Sequence, residues 1–338
     1  MYNSKKFTII LPVRNGGAYV EKCIQSILSQ TISDFELMIL ENARTDNTLQ
    51  CIQAFNDSRI TVQQSNQDLS IDQNWARALH ISKGEFVTII GHDDFFEPDY
   101  LEVMTKLIED NSQCSLFQSH FSFVDAEDGF IRNCHPMKTH YTASESIATF
   151  MQGGIDLMGT GFMMRSKDYD AVGGIPPYPN LLFADMELFI SLAIKGGMAV
   201  SPKKCFNYRI HKSATTSSSS NLAYNNGFNR LAQYLISLKK TNPEYAPVIE
   251  EQATAFMHKY GQTITHKILK TKKSQRQSLS FKGTIDQLNR TGTNLLGQPY
   301  NLNDNPKIKL APTIDNNVVL HNLYLLFRRF YKKPVFTS

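Results

Sequence analysis

The stretch Phe7-Thr8-Ile9-Ile10-Leu11-Pro12-Val13 runs straight into Arg14-Asn15-Gly16-Gly17. A short apolar run without alternation suits a strand buried on both faces of a parallel sheet, and the Pro, Asn and Gly residues mark its end. Val20, Cys23, Ile24, Ile27 and Leu28 follow at helical spacing. Phe35–Leu40 reads as a second strand. The turn Glu41–Asn47 leads to a helix through Leu49, Ile52 and Phe55, with Thr45 or Asp46 as its N-cap. Ile60–Val62, the helical Ile71–Ile81 and the strand Glu85–Ile90 continue the alternation. This rhythm means βαβ units and an α/β fold with a doubly wound, mostly parallel sheet. Ligands of such sheets bind at the carboxyl ends of the strands. Here those ends are Arg14–Gly17, Glu41–Asn47, Gln64–Asp68 and Gly91–Asp94.

Further along come a helix beyond Asp99, an apolar stretch at Leu116–Val124 and a polar connection from Asp125 to His140. Gly153–Gly161 leads into Phe162–Arg165, Ala184–Ile194 reads as a helix, and Lys203–His211 is strand-like. The Thr/Ser run Thr215–Ser220 suggests a boundary, beyond which the chain reads as mostly helical. The 338 residues suit a domain of two hundred-odd residues plus a second unit. A hydrophobic share of 41% rules out wholesale disorder.

The net charge of +4 conceals a split. Residues 1–224 hold 18 Lys+Arg against 25 Asp+Glu, whereas residues 225–338 hold 17 against 6. A basic tail of this kind meets nucleic acid, anionic lipid or an acidic patch on another subunit. No basic cluster interleaved with aromatics sits in a nucleic-acid-binding module, so nucleic acid is not the expected partner. The end of the chain places Val318, Leu323, Leu326, Phe327 and Phe330 beside Arg328, Arg329, Lys332 and Lys333. That cationic amphipathic pattern suits an anionic membrane surface, or a helix packed on the body or on a second subunit of a homo-oligomer. The start, Met1–Lys6, is polar and shows no cleavage signal, so no secretory leader is expected. No run of eighteen apolar residues is present to span a membrane. The five scattered cysteines read as reduced thiols of a cytoplasmic protein.

Absences narrow the chemistry. No GxGxxG follows the first strand, no Gly-Lys dipeptide exists for a P-loop, and no GxSxG elbow occurs. What remains is Gly91-His92-Asp93-Asp94 after the fourth strand. Adjacent carboxylates at a strand end suit a divalent cation, Mn²⁺ or Mg²⁺, bound with a diphosphate. They equally suit the N-cap of a helix beginning near Pro98. His135 and His140 lack the partners that would suggest zinc. Trp75, in a helical pattern, reads as core.

A longer ordered set of motifs carries a resemblance. Ile10–Asn15, Ser26–Thr31, Phe35-Glu36-Leu37, Glu41–Thr48, Asn74, Gly84-Glu85-Phe86, Asp93-Asp94, Gly159–Gly161, Ala184-Asp185 and Tyr208-Arg209-Ile210-His211 occur in sequence. Together they resemble the inverting family 2 glycosyltransferases of the GT-A fold, the type found in bacterial polysaccharide biosynthesis. The match runs over about residues 7–213. Three positions depart from the family pattern: Glu41-Asn42 replaces an Asp pair, Gly91 an additional Asp, and Ala184 the Glu before the base.

The resemblance implies a GT-A nucleotide-sugar-binding catalytic domain over residues 1–220, with a helical, basic region over 221–338 for assembly or membrane-surface contact. It implies that Pro12, Val13 and Asn15 line the base pocket, and that Glu41 and Asn42 bond base or ribose. Asn74 and Asp93 would contact the donor nucleotide, and Arg14 or Arg44 phosphate, though an Arg beside a loop is ordinarily just solvated. Asp94 would be the direct metal ligand, with Asp93 beside it and His211 completing the shell. Gly159, Thr160 and Gly161 would form the glycine loop at the acceptor. Asp185 would be the catalytic base, its plainer role being a cap for the helix Met186–Ile194. The implied reaction moves a sugar from a nucleotide-diphospho-sugar, a UDP-sugar in particular, to a hydroxyl of a glycan or lipid-linked acceptor. Two other classes stay open: a sugar-nucleotide-binding or scaffolding subunit without catalysis, and a metal-dependent phosphoesterase.

Overall fold

The computed structural model describes residues 4–42, 45–211, 219–276 and 278–330, the side chain of Arg329 excepted. Arg44, most of the Thr/Ser run and Tyr331–Lys333 lie outside the described residues. The chain divides into two compact units, Met1–Ser218 and Ser219–Ser338.

The first unit is built on β1 (Phe7–Val13), every residue of which is buried. It pairs in parallel with β2 (Phe35–Asn42) on one side and with β4 (Phe86–Ile89) on the other. β2 in turn pairs in parallel with β3 (Ile60–Ser65). The pairing with β4 ends at Ile10–Ile89, whereas that with β2 continues to Val13–Glu41. Strand order reverses between β1 and β4, and that is where such sheets open a crevice.

Beyond β4 the sheet becomes mixed. Its order is β3-β2-β1-β4-β9-β6-β10-β5, with β9 (Met163–Arg165) antiparallel to both β4 and β6 (Leu116–Val124), and the short edge strand β5 (Phe95–Phe96) antiparallel to β10. The long strand β10 (Met198–Arg209) runs parallel to β6 and begins five residues earlier than the pattern from Lys203 suggests. The connection Asp125–His140 is not simply polar loop. It holds β7 (Phe130–Asn133), which hairpins onto β6, and β8 (His140–Tyr141), which pairs with β10. Asp125 makes that hairpin by accepting the backbone N–H of Glu127 and Gly129 on one carboxylate oxygen.

Helices α1 (Val20–Leu28), α2 (Thr48–Gln53), α3 (Ile71–Ala76) and α4 (Tyr100–Asp110) connect the first strands. A 3₁₀ turn, Arg77–His80, continues α3. α5 (Ala143–Gln152) starts at a capping box in which Thr142 and Glu145 satisfy each other's backbone N–H. α6 (Ser166–Ala171) and α7 (Ala184–Gly196) complete the unit.

The second unit is helical: α8 (Asn221–Thr241), α9 (Ala246–Leu269), α10 (Phe281–Leu296), α11 (Ala311–Asn316) and α12 (Val318–Phe330). Phe228, Leu231, Leu235, Phe256, Ile264, Leu288 and Leu295 are buried among them. Buried Arg276 ties the last helices down. Its guanidinium donates to Asp315 at 2.6 Å and lies 3.1 Å from the His321 ring, which contacts the Leu269 carbonyl at 2.8 Å.

Candidate active site

A cleft of about 420 Å³ opens at the carboxyl ends of β1, β2 and β4. Pro12, Arg14, Asn15, Gly16, Gly17 and Tyr19 form one wall, and Asn42, Ile71, Asn74 and Trp75 another. His92, Asp93 and His211 form its floor. Five segments separated in sequence thus meet where the strand order predicts a ligand. Trp75 is not core: it is half-buried on the cleft wall, and its ring lies close to Gly159.

The residues expected at the base pocket divide into two groups. Pro12, Asn15, Asn42 and Asn74 face the cleft, whereas Val13 and Glu41 are wholly buried. The amides of Asn15 and Asn42 are already engaged. Asn15, in the left-handed region at φ 50°, accepts from Thr45 N at 2.8 Å and donates to its hydroxyl at 3.1 Å. Asn42 exchanges hydrogen bonds with both backbone groups of Leu69, at 2.9 and 3.0 Å. Asn74 donates to the Leu40 carbonyl and accepts from Arg77, which also reaches the Glu41 carbonyl. These side chains hold the loops that shape the pocket. Asp46 adds a latch: it accepts Thr48 N and hydroxyl with one oxygen and Gly17 N with the other, while the Thr48 hydroxyl accepts Gly16 N. Arg14 spans to Asp68 at 2.9 Å.

The carboxylate pair has no capping role, because α4 begins at Tyr100 with Asp99 before it. Asp93 faces the cleft, with its Oδ2 2.7 Å from His211 Nε2. Asp94 is only 2% exposed. Its Oδ1 accepts the Arg209 backbone N–H at 2.9 Å, and the Thr160 hydroxyl also bonds its carboxylate. The remaining oxygens, Asp93 Oδ1 and Asp94 Oδ2, both turn toward Gly91. A Cβ at position 91 would stand 2.7 Å from the first and 3.2 Å from the second. The absent side chain at Gly91 therefore leaves room for both carboxylates to lie against this backbone.

Arg209, which sequence reasoning passed over as part of a motif, organises this floor. Its side chain donates to the Asp93 carbonyl at 2.7 Å and to the Asp125 and Ala126 carbonyls, and pairs with Asp128 at 2.5 Å. It also lies over the Tyr19 ring at 4.6 Å. No motif signal separates such an arginine from a solvated one, since its partners come from a hairpin 80 residues away.

The floor is electronegative. Burial raises the Asp94 pKa well above its ordinary value, and the neighbouring Asp93 raises it further. Burial would raise Asp93 too, but the bond from His211 and the nearby His92 bring it below the usual carboxylate value. The Cys23 thiol and the Tyr208 phenol are both pushed up, by burial first and then by these two carboxylates. Tyr208 is also raised by Asp185, so all three carboxylates act on one phenol.

Asp185 lies in the first turn of α7. It is half-buried, and burial pushes its pKa up to about 6. It is not the N-cap, which is Phe183; its carboxylate accepts the Met186 N–H at 2.9 Å and its own backbone N–H. The residues before it are strained: Asn180, Leu181 and Phe183 have φ of 52°, 58° and 73°. Such non-glycine conformations cost about 1–3 kcal/mol each and cluster where a side chain must be aimed. Gly159–Gly161 forms the turn into β9. Gly161, at φ 76°, could carry no Cβ, which would lie 2.8 Å from the Phe206 ring. Thr160 accepts the Gly91 N–H at 2.8 Å, so this loop braces the carboxylate pair from behind.

The description "Glycosyl transferase family 2" matches residues 8–173. The first unit is thus similar to glycosyl transferase family 2 over most of its length. The match covers every residue that lines the cleft except His211. Glycosyltransferase GlyA of Streptococcus pneumoniae is 32% identical over 128 residues, which are 37% of this chain and 18% of that protein. Chondroitin synthase of Escherichia coli is 23% identical over 246 residues, 71% of this chain and 34% of that protein. The chain thus spans about a third or less of the length of these two relatives. The crystal structure of Staphylococcus aureus TarS 1–349 in complex with UDP superposes with a TM-score of 0.69 at 17% identity. It covers 97% of this chain and 93% of that one, and shows that the first unit has the GT-A type of fold.

Two carboxylates that lie together beside Gly91 supply the hard oxygen ligands that Mg²⁺ or Mn²⁺ takes, usually together with substrate phosphates. Among the described residues no three His, Cys, Asp or Glu side chains converge on a single point. His211 in this structure turns its Nε2 to Asp93. The residues of the first unit therefore fit a cation held by Asp93 and Asp94 and completed by a ligand.

Proposed function

We propose that the protein is a metal-dependent inverting glycosyltransferase. It would move a sugar from a nucleotide-diphospho-sugar, a UDP-sugar in particular, to a hydroxyl of a glycan or lipid-linked acceptor in surface polysaccharide synthesis. The observation that carries this reading is that Asp93, with Asp94 beside it against Gly91, stands at the floor of a cleft at the carboxyl ends of the strands. The family match over residues 8–173, a chondroitin synthase among the relatives, and a structural neighbour in complex with UDP support it.

The cleft wall from Pro12 to Tyr19 offers the base and ribose a surface beside Asn42, Asn74 and Trp75. Asp93, Asp94 and, after turning from Asp93, His211 would hold the cation. When bound, the cation neutralises the charge developing on the departing diphosphate. Asp185, with a pKa of about 6, is ionised at neutral pH and basic enough to accept a proton. It takes the proton of the acceptor hydroxyl as that oxygen bonds the anomeric carbon. The bond from that carbon to the diphosphate oxygen breaks on the opposite face, so configuration inverts. Gly159–Gly161 would border the acceptor. The reading places the enzyme in the cytoplasm, at the inner face of the plasma membrane.

The test is a screen of donor hydrolysis across nucleotide-sugars, with and without Mn²⁺. Turnover that requires Mn²⁺ is expected. Metal-independent binding without turnover would instead identify a sugar-nucleotide-binding subunit.

A further inference from the structure

Among the described residues nine large apolar side chains are exposed, and seven of them belong to the 13-residue helix α12. Val319, Leu323, Leu326, Phe327 and Phe330 fall within one stripe about 100° wide, as their helical spacing requires. Leu323 is 56% exposed, Phe327 58% and Phe330 82%. The opposite side of the helix is anchored: His321 is buried against Arg276 and the Leu269 carbonyl. The helix is therefore held in place with its most apolar face outward. Soluble surfaces seldom carry such a contiguous patch unless something covers it.

Charge selects the occupant. Residues 225–338 hold 17 Lys+Arg against 6 Asp+Glu. α12 contains no acidic residue, carries Arg328 and Arg329 in its last turn, and continues in sequence to Lys332 and Lys333. Two copies of so basic a unit would repel, whereas an anionic surface would attract it. Thirteen residues span about 20 Å, short of the roughly 30 Å of a bilayer core. No described helix is long and apolar enough to cross a membrane. The pattern is that of a helix lying in the interface, apolar face in the acyl boundary and cations among head groups.

We infer that α12 docks the protein flat onto an anionic lipid bilayer through its Val319–Leu323–Phe327–Phe330 face. Glycosyl transfer is not needed for this, so the inference stands or falls independently of the proposed activity.

The experiment uses the full chain and two vesicle types: equal phosphatidylglycerol and phosphatidylcholine, and phosphatidylcholine alone. Co-sedimentation with the anionic vesicles is expected, weakening at high salt because surface charge attraction is screened. Binding to the neutral vesicles should be weaker by about tenfold or more, as several cations each contribute near an anionic surface. The double variant Leu323→Glu with Phe327→Glu alters only exposed positions and should lose about tenfold or more of the anionic binding. Equal binding to both vesicle types would overturn the choice of an anionic surface. Unaltered binding by the double variant, or no binding by the native chain, would overturn the docking face. Light scattering closes the other possibility: a native dimer that the double variant dissolves, without vesicle binding, would make this face a self-association surface and refute the inference.

Discussion

The backbone N–H of Arg209 donates to Oδ1 of Asp94 at 2.9 Å, joining the end of β10 to the end of β4 across 115 residues of chain. The same arginine holds the Asp93 carbonyl with its Nε–H at 2.7 Å. Both carboxylates are thus set by one residue that does not face the cleft. Asp128 pairs with that guanidinium from the β6–β7 hairpin, and Lys22 on α1 pairs with Asp128 at 2.6 Å.

Arg209→Lys keeps the charge but loses the fork of donors that serves Asp93, Asp125 and Ala126. Affinity for Mn²⁺ with nucleotide should fall about 10- to 100-fold, the scale for removing an orienting partner. Calorimetry with UDP and Mn²⁺ measures it, and an unchanged affinity would show that the backbone contact to Asp94 suffices.

Gly91→Ala puts a methyl group 2.7 Å from Asp93 Oδ1 and 3.2 Å from Asp94 Oδ2. The carboxylates must move apart, so Mn²⁺-dependent nucleotide binding should weaken by about tenfold or more. Thermal unfolding of the apo-protein should change little, because the new methyl meets flexible carboxylate ends rather than backbone. A variant with native Mn²⁺ affinity would place the cation elsewhere.

Asp94→Asn replaces an anionic ligand with a neutral amide and should abolish metal-dependent donor binding. Unchanged nucleotide affinity in Mn²⁺ by calorimetry would refute the metal role of the pair.

Asp185→Asn should keep donor affinity and lose about 10²–10⁴-fold in transfer rate. In the native enzyme the rate should rise with pH through about 6, as Asp185 loses its proton. Near-native turnover by the variant would mean that another group takes the proton.

The same substitution has a stability signature of defined sign. Burial raises the folded-state pKa of Asp185 from 3.8 to about 6, so ionised Asp185 destabilises the fold above pH 6. Asp185→Asn should therefore melt higher than the native protein at pH 8. The advantage should shrink between about pH 6 and 4 and vanish below, where both states of the native chain hold the proton. A variant that melts lower at pH 8 would show that the carboxylate makes stabilising bonds there.

Much of the first unit was legible because β1 announces itself: seven consecutive residues buried on both faces leave no room for polar alternation. Val20, Cys23, Ile24 and Ile27 fall on the buried side of α1 for the same reason of period. α5 was not read from the sequence, although Thr142 and Glu145 stand at capping-box spacing before it. Nor were the strands β7 and β8, since Phe130–Asn133 is half-exposed and gains its structure from the turn at Asp125 and from pairing with β6.

The sequence by itself determined which chemical groups are available: the paired carboxylates, His211, Asp185 and a cationic apolar end to the second unit. Their order along the chain also determined that they belong at strand ends, because strand–helix alternation places those ends on one edge of a sheet. Tertiary structure alone decided the geometry among them. It set Asp94 beneath the floor and Asp93 on it, engaged Asn15 and Asn42 with backbone, and brought Trp75 to the cleft wall. It made Arg209 the common support, since its partners come from β4, from the β6–β7 hairpin and, through Asp128, from α1. Hydrogen bonds between such distant segments exist only once the sheet has assembled, and local spacing carries no record of them.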